Sequence, residues 1–499
     1  MKTKKLSYVH VIYILFAVFY LWLAAQIPYT HDDWDWGLEI GMQQWLTASV
    51  NSRYVGNFFE IIMTRSVFLK TIIMGGTFFL LPYLLSYIAS EKNHKNTQLL
   101  LFLLANFLIL TMSRMVWSET YGWVAGFANF VLSSVFTLLC LTQWLPLCKQ
   151  EYAPPTAGFA FDCLWMLIAF LGQLFIENLS IVMAAVSIFV CITSYVRIKK
   201  IPLRYIFMCI GTVLGLCVMF SSSVYDSLFG SGEAVSGLRQ LIISAEGGIT
   251  TKVFNIFVQA ARLATRAGEA NFVLCIFVLI VLTYKLLPIS KKRFVRVIIG
   301  INFLFAIYFT VNFVLQTDYT PDRVLLSAFA ATVNALYFLL MAVEVIVIYG
   351  GDPEMQRKLI AVWFIGLALL APLLVTNEAG YRLIFSLNIF VILFILLIMQ
   401  EVSGASSNQN SIELTFFAAT AIPVIVCAVV YSSIGRCNQL RLEMIELAAF
   451  NNAAEISLPA YPYANYLHAP DPIDEIRWGF YKEFYGIAPH TTVIIEDTD

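Results

Sequence analysis

The chain has 499 residues, of which 60% are hydrophobic and only 13% charged, with a net charge of −1 and a mean hydropathy of +0.78. A soluble domain carries about 25% charged and about 45–50% apolar residues, so this composition excludes an ordinary water-soluble protein and points to lipid as the solvent. The near-zero net charge gives no electrostatic footprint for nucleic acid, which is not expected as a partner.

In chain order, the sequence predicts an all-α integral membrane protein of about 11–13 transmembrane helices. Apolar runs at 8–27, 68–89, 97–112, 123–147, 163–176, 179–196, 202–220, 271–288, 297–315, 325–349, 359–375, 383–400 and 413–434 approach the roughly 20 residues that a span requires. The runs at 97–112 and 163–176 are short, and are expected to tilt or to end within protein. Lysine and arginine gather in alternating connections, "KTKK", "EKNHK", "RIKK", "KKRFVR" and "QRK". The opposite short connections carry mostly single arginines, Arg53, Arg114, Arg323 and Arg382. The bias places the N-terminus in the cytoplasm and the segment "HDDWDWG" outside. A cleaved signal peptide is the alternative reading of the first run, with its basic start and "LAAQ" end, and it leaves that segment outside as well.

The expected organisation is a polytopic membrane domain over 1–435 and a short extracytoplasmic tail over 436–499. Within the first, 28–57 forms an acidic outer loop. Residues 221–270 carry outer interfacial helices, because "VFNIFVQAARLATRAGEA" repeats its apolar residues at helical spacing. The nine cysteines fall mostly in apolar runs and show no CxxC or Cys/His spacing, so no cofactor is expected; one aspartate of the acidic pair could hold a divalent cation, but metal dependence has no motif behind it.

Polar residues collect in the outer connections. The first loop holds His31, Asp32, Asp33 and Asp35, then "NSRYVGN" with Arg53 and Tyr54. Later turns hold Glu119 and Trp123, Glu177 and Asn178, Arg323, and Arg382. Glu177, between two apolar runs with no basic residue near it in sequence, either surfaces into water or faces a cavity. Paired carboxylates suit base catalysis, since one ionised aspartate accepts the proton of an attacking hydroxyl. Arginines at headgroup depth suit a lipid-linked phosphate, which a guanidinium grips in bidentate fashion, or else contact headgroups generally. The tryptophans offer flat faces to sugar rings, or anchor the interface.

An acidic pair in the first outer loop, after the first span of an N-in polytopic protein, resembles the GT-C class of membrane glycosyltransferases. "HDDWDWG", "NSRYVGN", "SETYGW", "GFANF", "IEN" and the tail "IRWGFYKEFYGI" are similar to a bacterial, glucosyltransferase-like family of that class, and the likeness spans the membrane region and the tail. The resemblance implies a bacterial cytoplasmic-membrane enzyme. It would move sugar from a polyprenyl-phosphate donor to a surface glycan or cell-wall polymer, with inversion. By match, Asp32 or Asp33 is the general base. Arg323 and Arg382, with Arg53 as a further candidate, would stabilise the leaving lipid phosphate. Tyr54, Glu119, Trp123, Glu177 and Asn178 fall in the substrate-binding set. Three rival readings stand beside it: a transporter or flippase of lipid-linked glycans, which would share the arginines; a glycan polymerase or ligase, which would draw on arginines of 221–270; and a non-catalytic envelope scaffold. A transporter needs functional charge through the membrane middle, where the spans are nearly clean; Glu344 is an exception unless it lies near the inner face.

Overall fold

The computed structural model describes residues 8–90, 95–152, 158–229, 248–269, 271–315, 324–376, 380–404 and 409–496. The chain is nearly all helix. In order the helices are α1 (Tyr8–Gln26), α2 (Asp33–Gly37), α3 (Glu39–Thr47), α4 (Tyr54–Arg65), α5 (Val67–Ala89), α6 (Lys95–Leu110), α7 (Arg114–Thr120), α8 (Val124–Gly126), α9 (Leu132–Trp144), α10 (Phe159–Gly172), α11 (Glu177–Ile198) and α12 (Leu203–Met219). They continue as α13 (Ile249–Glu269), α14 (Phe272–Leu286), α15 (Arg293–Leu315), α16 (Val324–Ile348), α17 (Pro353–Ala368), α18 (Phe385–Gly404), α19 (Gln409–Phe450) and α20 (Glu475–Tyr485). Two short strands, β1 (Glu455–Pro459) and β2 (Thr492–Glu496), pair in parallel around α20.

Among the described residues, ten helices are long and apolar enough to cross a membrane. Thr97–Leu110 and Arg114–Thr120, bent by 94°, add a broken eleventh. Phe159–Gly172 and Leu203–Met219 are shorter apolar helices. These account for every apolar run read from the sequence. Leu15 and Val18 of α1, and Phe303 and Leu304 of α15, are all more than half exposed. Such a surface is stable only against lipid tails. The core lies around the spans Val124–Cys148 and Tyr381–Val402, each 89% buried, whereas α1 and α15 sit at the rim with 22% buried.

The two shorter apolar helices, α10 and α12, pack closely against each other. In "GTVLG", Gly211 and Gly215 put one small face of α12 against α10; a Cβ on Gly215 would stand 2.6 Å from the Gln173 Cβ, and one on Gly211 would strike the Met166 carbonyl. Small residues one turn apart let two backbones approach where no hydrophobic force drives them together. Ionisable groups inside the spans are partnered: Arg204 with Asp162 at 3.0 Å, Lys285 with Glu401 at 2.5 Å, and Lys70 with the Ile27 carbonyl. Glu344 accepts from Asn302 at 2.6 Å, so it is a satisfied carboxylate in a helix interface.

The connections sort to two ends of the bundle. At one, Arg357 donates to the Cys148 carbonyl and Arg197 to that of Lys149. The 27–57 segment, α7, the turn before α11, the Ser223–Phe229 turn and the C-terminal residues meet at the other. α13 is a helix there, as its spacing predicts. α19 has 42 residues, about 63 Å, roughly twice the hydrocarbon thickness. It therefore projects well past the bilayer and runs unbroken through 435–436, where the sequence reading placed a boundary. Its projecting end carries β1, α20 and β2, and a small core of Ile445, Ile456, Leu458, Tyr481 and Ile487 closes around Trp34 from the acidic loop.

Candidate functional site

The segment "THDDWDWG" folds back on itself at the mouth of α1. The Asp33 N–H donates to the Thr30 carbonyl at 3.0 Å, and the Thr30 N–H donates to the Asp33 carboxylate at 2.8 Å. His31 takes the left-handed conformation, φ 54°, to make this turn. α2 follows, and Arg65 at the end of α4 ties down its last carbonyls, those of Gly37 at 3.1 Å and Leu38 at 2.6 Å.

Geometry separates the two aspartates that sequence left equivalent. Asp33 is completely buried and accepts from three backbone N–H groups, Thr30, Val124 (3.4 Å) and Ala125 (2.9 Å). The last two are free N–H groups at the start of the Val124–Cys148 span, so Asp33 fastens the loop to a core helix. Asp32 keeps a side chain 24% exposed. It accepts from the Trp123 indole N–H at 2.8 Å and lies 3.4 Å from His31 Nδ1.

Their proton affinities diverge accordingly. Burial pushes Asp32 up, but the hydrogen bond and charge of His31, then Arg477 and Trp123, outweigh it and hold its carboxyl below the usual range. Burial and the Asp32 charge push Asp33 well up, against its three N–H donors. Asp35, buried beside Asp32, is raised to about 7 although Arg477 sits 2.9 Å away. Asp32 is thus the loop carboxylate that is both ionised and reachable.

Around Asp32 the aromatic groups interlock. His468 from the C-terminal region lies 4.3 Å from Trp123 and 4.9 Å from His31, ring centre to ring centre. Burial, reinforced by His31, lowers the His468 imidazole to about 4, so it stays neutral. The Arg382 guanidinium lies over the Trp123 ring, 5.7 Å from its centre. Glu119 accepts from both the Arg382 backbone N–H (3.0 Å) and Nη1 (3.3 Å).

A second cluster forms where α4 meets α11. Arg53 grips Glu177 with two nitrogens, at 3.2 and 2.8 Å, and Tyr225 donates to the same carboxylate at 2.8 Å. Glu177 therefore finds a basic partner that lies far away in sequence. Arg53 and Arg382, the candidates for holding a phosphate, are each engaged by a glutamate. Asn178 is buried and donates to the Leu369 carbonyl at 2.9 Å, holding α11 to α17. Tyr54 opens α4, and its carbonyl accepts from Trp45 at 2.9 Å. Arg323 lies outside the described residues.

The tryptophan faces are also used internally. Trp34 is fully buried with Tyr481 edge-on at 5.1 Å, and Trp36 is buried. Three residues escaped the sequence reading. His468 and Arg477 come from a region distant in sequence. Glu60 of α4 is 1% exposed, and one oxygen of its carboxylate lies within 4.8 Å of an oxygen of Asp32 and of Asp33. Its signal was present in "NFFEIIM", a lone acid between apolar pairs, the same pattern that drew attention to Glu177.

Set against family models, curated proteins and solved structures, the chain matches none.

Proposed function

We propose that this membrane protein is a glycosyltransferase that takes a sugar from a polyprenyl-phosphate donor and delivers it to a surface glycan or cell-wall polymer. The reaction runs at the Asp32 end of the bundle, which the distribution of lysine and arginine assigns to the outside of a bacterial cytoplasmic membrane. Asp32 accepts the proton of the acceptor hydroxyl. The hydroxyl oxygen bonds to the anomeric carbon as the bond from that carbon to the lipid phosphate breaks, with inversion, and the electron pair leaves on the phosphate.

One observation carries the reading. Trp123 donates its indole N–H to Asp32 and lies beneath the Arg382 guanidinium, so a single side chain spaces an ionised base from a cation. That is the pairing a displacement at a phosphate-linked sugar requires, a proton acceptor on one side and charge stabilisation for the leaving group on the other. Glu119 engages one edge of the Arg382 fork, leaving other N–H donors for phosphate oxygens. The first-loop resemblance to GT-C enzymes supports the same assignment.

The test is release of free polyprenyl phosphate from polyprenyl-phosphate hexoses by the purified chain in nanodiscs with cell-wall acceptor. Wild type is expected to release it. Asp32→Asn is expected to slow turnover about 10²–10⁴-fold with unchanged size-exclusion behaviour. Undiminished turnover in Asp32→Asn rejects the assignment.

A further inference from the structure

We propose that Asp32, Asp33 and Glu60 form a binding site for one divalent cation. One carboxylate oxygen from each lies within 4.8 Å of the others, and the three come from two separate elements, the turn into α2 and the middle of α4. Asp33 and Glu60 are 0% and 1% exposed. Among the basic side chains nearby, His31 lies 3.4 Å from Asp32, while Arg53 pairs with Glu177, Arg477 with Asp35, and Lys70 with the Ile27 carbonyl.

Glu60 supplies the independent observation. Its Oε1 is buried and has no hydrogen-bond partner among the described residues, while its carboxylate is turned toward the aspartate pair. A buried carboxylate without a donor is costly, and buried carboxylates ordinarily pair or coordinate a metal. The other two are oriented from behind, as ligands of a metal are. Asp33 is fixed by three backbone N–H groups, and Asp32 by the Trp123 indole.

The donors are all carboxylate oxygens, which select a hard cation of the Mg²⁺, Mn²⁺ or Ca²⁺ class. Oxygens on opposite sides of such an ion stand about 4–5 Å apart, so the cluster has the right span. Three protein ligands leave positions for water or a ligand oxygen. A carboxylate offers two oxygens and about four lone-pair sites, so Asp32 can hold a cation and still accept a proton.

The experiment is Mn²⁺ titration of the EDTA-stripped full-length chain in nanodiscs, read by loss of the free-ion electron paramagnetic resonance signal, with Mg²⁺ and Ca²⁺ as competitors. Wild type is expected to bind one Mn²⁺. Glu60→Gln, which keeps shape and removes charge, is expected to weaken binding at least about tenfold, the lower range for disturbed metal sites. Glu39→Gln, at an exposed acid on α3, is expected to bind as wild type. Equal affinity in Glu60→Gln and wild type overturns the proposal. Should Glu60→Gln fail to fold, the wild-type titration decides alone, and no bound Mn²⁺ overturns it. No donor or acceptor enters this measurement, so its failure leaves the transfer reaction standing, and the reverse holds too.

Discussion

Asp32 and Asp33 are neighbours with opposite tasks, and the difference lies in what surrounds each carboxylate. Asp33 →Asn replaces one acceptor oxygen by an NH₂ group facing backbone N–H donors at Thr30, Val124 and Ala125. Each buried donor left without an acceptor costs about 1–3 kcal/mol, so Asp33→Asn is expected to destabilise by at least that much, read from unfolding in denaturing detergent. Asp32→Asn, with its partly exposed side chain, is expected to change stability far less. Asp35 gives a pH dependence. Its carboxyl is raised to about 7 by burial and by Asp32, against an unfolded value near 3.9. The folded state then binds more protons between those values, so this group's stabilisation is full below about pH 4 and is lost as pH rises through about 7. His468 works in the opposite sense, because burial lowers it to about 4, and its contribution grows as pH rises from about 4 toward about 6.5. Comparing Asp35→Asn with wild type isolates the carboxylate: between pH 5 and 8 the variant is expected to lose less stability than wild type. An equal or greater loss in the variant contradicts the raised value. At this scale the sequence was partly legible. It located the loop and the acidic pair, but could not rank the two aspartates, because two of the N–H groups that claim Asp33 and the indole that holds Asp32 belong to residues about ninety positions away.

Elements were read more fully than contacts. A bilayer forces every backbone polar group to be satisfied inside its own segment, so long apolar runs become helices with little dependence on the rest of the chain. That is why each run from 8–27 to 413–434 is helical, and why the spacing in 249–269 found α13. The 94° bend between α6 and α7, the projection of α19 and the docking of the C-terminal residues on α2 were hidden, since tertiary partners decide them. The docking rests on one side chain. Trp34 is 0% exposed among Ile445, Ile456, Leu458, Tyr481 and Ile487, and the Arg477–Asp35 pair and the packing of Phe484 on Tyr29 flank it. Emptying that site should remove about 3–5 kcal/mol, as large-to-small core changes do. Trp34→Ala is therefore expected to release the segment after Phe450, seen as new cleavage there in limited proteolysis while the membrane bundle stays intact. A wild-type cleavage pattern in Trp34→Ala contradicts this anchoring.

For the molecule as a whole, the arrangement demands that the acidic loop and the C-terminal region share one side of the membrane. Trp34 sits inside the C-terminal core, and His468 packs on His31 and Trp123. An odd number of crossings must then separate the start of α1 from the end of α19. α11 runs from Glu177, paired with Arg53 at this end, to Ile198 over 22 residues, about 33 Å, which suffices to cross. Lys199 is therefore expected on the opposite side from Glu39 and Glu455, and all three are exposed. Cysteines introduced singly at these positions, with exposed Cys217 changed to serine, give a direct reading. Membrane-impermeant maleimide added to intact cells is expected to label position 39 and position 455 and to spare 199 until the membrane is opened. Labelling of 39 and 455 from different sides would break the packing of the loop on the C-terminal core. Labelling of 199 alone would keep the fold but turn it over, placing Asp32 where the proposed surface acceptor is out of reach.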